Sequence, residues 1–331
     1  MRNPFFDILK FLAIMLVVYR HVSKMFGNSF GQPLVDNFIV GMNMPLFFMI
    51  SGYFSARTIK NGDWRKLCKH IYGYFWPVAA VSIVFAAFAV VFNLEGSEGG
   101  FIGYAGRRFL FSPWFLWCLS YCFIATFICC LPKSAVLRGL TCLFLIIVLP
   151  CFTNVWYMDD FRSMLPFFAF GVIVLRRFEI WKSWRFGAAC LVVYMLVALF
   201  QGDIGTNGLS FYGKTTTWVA FAHNGRAFLM YIARIFCGVA GSVGVMWVLS
   251  VVCDKYRVIK RLAPLGTTTL WVYILHQWLL ERVVDVGWYD VTLVCTLFWT
   301  LLLFCLTHFI GLGVHYSIGK GKILCFGAGV K

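Results

Sequence analysis

The chain has 331 residues, of which 61% are hydrophobic and only 13% charged, with a mean hydropathy of +0.82. A soluble domain carries about 25% charged residues, so the composition excludes a water-faced globular fold and indicates an all-α polytopic membrane protein. The formal charge of +16 belongs to that setting, where excess Lys and Arg mark cytoplasmic loops, and not to nucleic-acid binding.

The first apolar run, "FFDILKFLAIMLVVYRHVSKMF", has no small-residue cleavage site and carries ionisable groups. It therefore reads as a membrane span and not as a signal peptide. Helical arithmetic gives it a polarised face. Lys10 and His21 are eleven residues apart, within about 20° of three full turns, and Asp7 falls within about 40° of His21. Ile14 and Val17 share that face, which should point into a helix bundle because charges avoid lipid. Along the axis Lys10 and His21 are separated by about 16 Å. A structural alternative stands beside a functional one: Lys10 snorkelling to the headgroups, Asp7 capping the helix start and His21 bonding to a neighbouring helix. Arg20 points off this face, near the outer interface, where snorkelling accounts for it.

A span needs roughly 20 apolar residues, and about ten segments qualify: 5–25, 36–56, 71–92, 114–131, 137–153, 164–175, 186–201, 218–252, 266–283 and 291–315. The sixth is short, and the eighth is long enough to begin with an interfacial stretch; counts of about nine or eleven remain open. The loops "RTIKNGDWRKLCKH", "LPKSAVLRG", "RRFEIWKSWR" and "DKYRVIKR" are basic. They alternate with the acidic, glycine-rich and aromatic loops "NLEGSEGG", "WYMDDF" and "QGDIGTNG". The positive-inside rule then puts both termini in the cytoplasm. Arg107 and Arg108 fall on the outer side against this rule. They either cap a re-entrant or interfacial stretch or bind an anionic acceptor. The 13 Cys include no CxxC pair, lie mostly in apolar runs and read as small packing residues. No repeat or second soluble domain is visible, so residues 1–331 read as one transmembrane domain.

The stretch "DILKFLAIMLVVYRH" resembles the first-helix signature of the acyltransferase-3 family of membrane acyltransferases, with Asp7, Lys10 and His21 at its Asp, basic and His positions. The family usually has Arg where this chain has Lys10, and Lys lacks the bidentate fork of Arg. Further resemblances follow in order: "PLFFMISGYFSAR", "RKLCKHIYGYFWP", "SPWFLWCLSY", "PFFAFGVIVLRR" and "TTLWVYILHQWLL". Together they run across nearly the whole chain. The resemblance implies transfer of an acyl group, most often acetyl, from cytoplasmic acyl-CoA to a hydroxyl. The acceptor is typically a cell-surface carbohydrate or its lipid-linked precursor, and the setting a bacterial cytoplasmic membrane. No metal cofactor is expected.

On that resemblance His21 is the expected general base, since a neutral imidazole accepts a proton at physiological pH. Asp7, about 21 Å away along the axis, would pair with a basic residue at the cytoplasmic mouth, Lys10 itself being at the i, i+3 spacing. Lys10, Lys66 and Lys69 would hold the CoA phosphates, although ordinary positive-inside topology also explains Lys66 and Lys69. His276, Trp117, Ser51 and Tyr53 are candidate substrate contacts. Helix packing is the alternative for Ser51, Gly52 and Tyr53, and interfacial placement for Trp114, Trp117 and Trp288. A proton-coupled transporter using His21 and Asp7 is the rival from another class. It would show matching halves with broken helices, and no such symmetry is present; a non-catalytic scaffold is the third reading. Cysteine labelling should find the 57–70 and 254–262 loops in the cytoplasm and the 202–217 loop outside. A 57–70 loop labelled from outside reverses the orientation.

Overall fold

The computed structural model describes residues 3–26, 33–92, 100–151, 156–200, 225–286 and 293–317. Among these residues every regular element is helical and there is no strand. Helix α1 (Pro4–Met25) starts at Asn3, whose side chain accepts from the Phe5 N–H at 3.1 Å. Proline opens the first turn and Asp7 supplies negative charge there, three features that each suit a helix N-terminus. Leu9, Ala13, Ile14, Val17, Val18 and Val22 are all buried to 1% exposure or less, so the middle of α1 lies inside the helix bundle.

Its walls come from all parts of the chain. Helix α2 (Pro33–Lys60) packs along it, and α3 (Trp64–Val91) follows after a tight turn capped by Asp63. The short α4 (Gly100–Phe111) lies on α3 and meets α5 (Trp114–Cys130) at a bend of 52°. Helix α6 (Ala135–Val148) leads to α7 (Met158–Phe170), which continues through a π-helical stretch, Gly171–Leu175, to Phe178. Then come α8 (Trp184–Phe200), α9 (Gly225–Lys255), a 3-10 segment (Arg257–Thr267), α10 (Thr269–Val286) and α11 (Leu293–Ser317). The 3-10 segment, α9, α10 and α11 all contact α1.

Four helices, α2, α3, α9 and α11, are long and apolar enough to cross a membrane, and the bent α4–α5 pair makes a fifth if counted as one span. The predicted spans fall on helices where they are described, but charge and length set the others apart. Asp7, Lys10, Arg20 and Lys24 interrupt α1, and Glu281, Arg282 and Asp285 interrupt α10. Helices α6 and α8 are short. The sixth predicted span, 164–175, begins earlier than the sequence suggests. Asp159 and Asp160 sit in the first turn of α7, where the helix dipole favours them, and Arg162 pairs with Asp159. Residues 218–224 of the eighth span and the whole 202–217 loop lie outside the described residues.

The basic loops gather at one end of the bundle. Trp181 packs on Phe5 and Phe6, Arg176 lies 5.0 Å from the Tyr53 ring, and Leu131 approaches Gly62. The 3-10 segment closes on the start of α1 so tightly that a Cβ at Gly266 would collide with the Asp7 carbonyl.

Between α2 and α7 the contact is backbone on backbone. A Cβ at Gly52 would strike the Phe168 carbonyl, and one at Gly171 would strike that of Met49. This is why the Ser-Gly pair of α2 packs as small residues do between membrane helices. Gly52→Ala should therefore destabilise the protein by about 1–3 kcal/mol, read as a lowered unfolding temperature in detergent. Gly103→Ala, where an added Cβ meets open space, should leave that temperature unchanged or raise it.

Candidate active site

A cavity of about 710 Å³ opens at the C-terminal end of α1. Helix α1 contributes Val17, Arg20, His21 and Lys24 to its wall, and α2 contributes Asn43 and Met44. The α4–α5 elbow supplies Tyr104, Arg107, Arg108, Phe111, Ser112 and Trp114, while α10 supplies Gln277 and Glu281. Arg108 donates to both the Glu281 carboxylate and the Tyr104 hydroxyl, which ties α4 to α10 and fixes that side of the chamber. The tyrosine contact is 3.3 Å.

His21 stands on this wall with the His276 ring edge-on, centroids 5.1 Å apart. His276 is 1% exposed. Its Nδ1 lies 2.9 Å from the Val272 carbonyl; a carbonyl only accepts, so Nδ1 carries the hydrogen. That assigns the tautomer and leaves Nε2 as a lone-pair acceptor, buried and without a hydrogen-bond partner among the described residues. Tyr273, one turn from Gln277, receives the Phe115 N–H at 3.3 Å, using one of the orphan donors at the start of α5.

At the opposite end of α1, Lys10 Nζ and Asp7 Oδ1 form an ion pair of 2.7 Å with side chains only 3% and 6% exposed. Lys10 also faces the Phe54 ring at 5.7 Å and lines a small cavity of about 20 Å³ with Ser51, Ser55, His70 and Tyr74. Between the two ends lies a third cavity, about 10 Å³, bounded by Ile14, Val17, Met44, Phe47 and Tyr273. The three succeed one another along α1. Phe47 is shared by the Lys10 and middle cavities, Val17 and Met44 by the middle and His21 cavities. The middle one has room for about one water, so apolar side chains separate the ends in this state.

The structure thus brings His21 and His276 together, and Asp7, Lys10 and Ser51. Other predicted residues lie elsewhere. Lys66 is an exposed partner of Asp63, 2.9 Å away, and its hydrogen bond holds the Asp63 carboxyl below the usual carboxylate range. Lys69 is exposed on the same turn of α3. Tyr53 stacks on Phe6 at 4.4 Å near Trp181, at the Lys10 end and not at the His21 cavity. Trp117 packs with Phe75 and Trp156, at 4.3 and 5.3 Å, while Trp114, three residues earlier, lines the cavity. Trp288 lies outside the described residues. Arg20 corrects the reading that sent it to the lipid interface: it lines the cavity, which is broad enough to take both Arg20 and His21. Sequence reasoning also missed Lys24, Asn43, Gln277 and Glu281, whose convergence depends on tertiary packing. Among the described residues no group of three His, Cys, Asp or Glu side chains is placed to hold a metal ion.

What the site can do follows from this geometry. An imidazole at the wall of an open chamber can take a proton from a bound hydroxyl. A buried, paired cation at the other end can meet an anionic group arriving from that side. A family model described as an acyltransferase domain matches residues 3–311, which contain every residue of the site. Neither the curated proteins nor the solved structures give a match. With the first-helix Asp7, Lys10 and His21 inside a match that spans nearly its whole length, the chain belongs to the acyltransferase-3 family of integral membrane acyltransferases.

Proposed function

We propose that the protein transfers an acyl group, most simply acetyl, from cytoplasmic acyl-CoA to a hydroxyl of a cell-surface carbohydrate or a lipid-linked glycan precursor. His21 acts as the general base. One observation carries the reading: His21 borders the large cavity at one end of α1, and two small, separate cavities follow it along α1 as far as Lys10, at the end where the basic loops gather.

In this scheme both termini are cytoplasmic, and the CoA phosphates meet Lys10 with help from the exposed Lys66 and Lys69. The pantetheine arm runs along α1 and displaces the side chains around Met44 and Phe47. The acceptor hydroxyl sits against His21. Its proton passes to the imidazole as its oxygen attacks the thioester carbonyl. The carbon–sulfur bond breaks, the ester forms, and the proton leaves with the CoA thiol. His276 buttresses the base: its fixed Nδ1–H tautomer keeps the ring edge-on to His21, with Nε2 turned out of the backbone bond.

Replacing His21 by Gln should cut transfer by about 10²- to 10⁴-fold while acyl-CoA still binds, because an amide holds a hydrogen bond but takes no proton at neutral pH. Transfer by the parent should rise with pH through the imidazole titration when chemistry limits the rate. A folded His21→Gln protein working at the parental rate removes the base assignment. Lys10→Ala should weaken acyl-CoA binding, measured on purified protein by isothermal titration. Lys10→Arg, which keeps the charge beside Asp7, should retain most of it. Unchanged donor affinity in Lys10→Ala takes Lys10 out of the site.

A further inference from the structure

Helix α10 opens at Thr269, which borders the middle cavity of the three along α1. The residue is 3% exposed, and its Oγ1 is buried with no hydrogen-bond partner among the described residues. Several hydroxyls elsewhere in the bundle turn back on a carbonyl one helical turn earlier. Ser120 donates to Leu116, Thr300 to Thr296 and Thr307 to Leu303, at 2.7 to 2.8 Å. Thr269 makes no such bond, although its neighbour Thr268 is pinned, with Oγ1 2.5 Å from Nδ1 of His308. Among the described residues Thr126, Ser242 and Thr296 also hold unpartnered hydroxyls, but none of them lines the three cavities along α1. A buried hydroxyl without a partner costs stability and calls for an explanation in a native fold.

The chemistry of the wall selects what could supply that partner. Ile14, Val17, Phe47, Phe115 and Leu116 make most of it apolar, and Tyr273, the other polar side chain on it, already takes the Phe115 N–H. A water needs about two to four polar partners, which this wall does not offer. An ion would lie there unpaired, at a large cost. A narrow apolar chain carrying an isolated, neutral amide fits both the wall and the hydroxyl. The level of Thr269 in the bundle is also defined. Gly266, just before it in the chain, packs on the Asp7 carbonyl. His276, two turns after it and about 10 Å farther along α10, stands beside His21. Thr269 therefore lies between the Lys10 end and the imidazole. The pantetheine arm of acyl-CoA is a chain of this description: amides set among pairs of methylenes, with phosphates at one end and the thioester at the other.

We infer that Thr269 is a binding residue for the acyl-CoA arm: its hydroxyl hydrogen-bonds an amide of the pantetheine as the arm passes through the middle cavity toward His21. This rests on the transferase reading above and adds a residue to the path of the donor. The bond exists only with acyl-CoA in place, so the hydroxyl stays unpaired in the free protein and favours the loaded state.

The test uses the full chain in nanodiscs. Acetyl-CoA and adenosine 3′,5′-bisphosphate, which lacks the arm, are titrated separately into the parent, Thr269→Val and Thr269→Ser. Valine keeps the shape and removes the hydroxyl, whereas serine keeps the hydroxyl. Without ligand the Val variant should unfold at or above the parent's temperature, because it loses an unpaired polar group. Its acetyl-CoA affinity should fall about fivefold to twentyfold, as a lost hydrogen bond and a stranded amide require, while its affinity for the bisphosphate stays at the parental value. Thr269→Ser should bind acetyl-CoA within about twofold of the parent. Parental acetyl-CoA affinity in Thr269→Val overturns this proposal alone. So does an equal loss for both ligands, or a Ser variant as weak as the Val variant. A Val variant that unfolds below the parent's temperature, or does not fold, also overturns it, since the hydroxyl would then be engaged in the free protein. A parent that does not bind acetyl-CoA overturns the transferase reading and this assignment with it.

Discussion

The Asp7–Lys10 ion pair sets the terms for the rest of the bundle. Moving a carboxylate and an ammonium out of water costs several kcal/mol each even after relaxation, and hydrocarbon offers neither any compensation. A helix that carries both must be enclosed by protein. Helices α2, α9, α10 and α11 and the 257–267 segment supply that enclosure, and the last of these comes so close to Asp7 that only glycine fits at position 266. Burying α1 in the bundle also explains how its far end can carry Arg20, His21 and Lys24. Those side chains face a chamber built by neighbouring helices, so none needs to reach through lipid.

The same enclosure separates two chemical environments along one helix. At one end a paired cation lies in a nearly closed pocket, and at the other an imidazole borders an open one. Between them Met44, Phe47 and Tyr273 leave almost no free volume. A partition of this kind keeps water from running along α1 from one end to the other.

Much of α1 was legible from spacing, because a single straight helix obeys a fixed rotation per residue. The shared face of Asp7, Lys10 and His21 follows from counting alone, as does the i, i+3 pair. The all-helical fold was legible from hydropathy. What counting could not reach was convergence between elements. Nothing in "YAGRRFLFSPW" announces a helix that turns by 52° and delivers Arg107 and Trp114 to the same chamber as His21. Arg20 was misplaced because helix arithmetic treats a face as a line, whereas a cavity of this size spans more than a quarter of the circumference. Trp117 and Trp114 differ by three positions and look alike in sequence, yet only the second reaches the wall. The start of α7 was set too late because acidic residues read as loop in hydropathy, although they stabilise a helix's first turn.

The reciprocal contact of Gly52 and Gly171 has a mechanical consequence. Two helices that touch through carbonyls and Cα atoms, with no side chains between them, have no soft layer to compress and no free volume in which to slide. Their attraction is short-ranged, and lipid supplies no hydrophobic force to restore it once they part. A bilayer thinner or thicker than the protein's apolar belt is usually met by changes in helix tilt. Here α2 and α7 must tilt as one rigid beam. Because Ser51 at the Lys10 end and Asn43 and Met44 at the His21 cavity all ride on α2, such tilting carries both ends of the site together and keeps their spacing independent of membrane thickness.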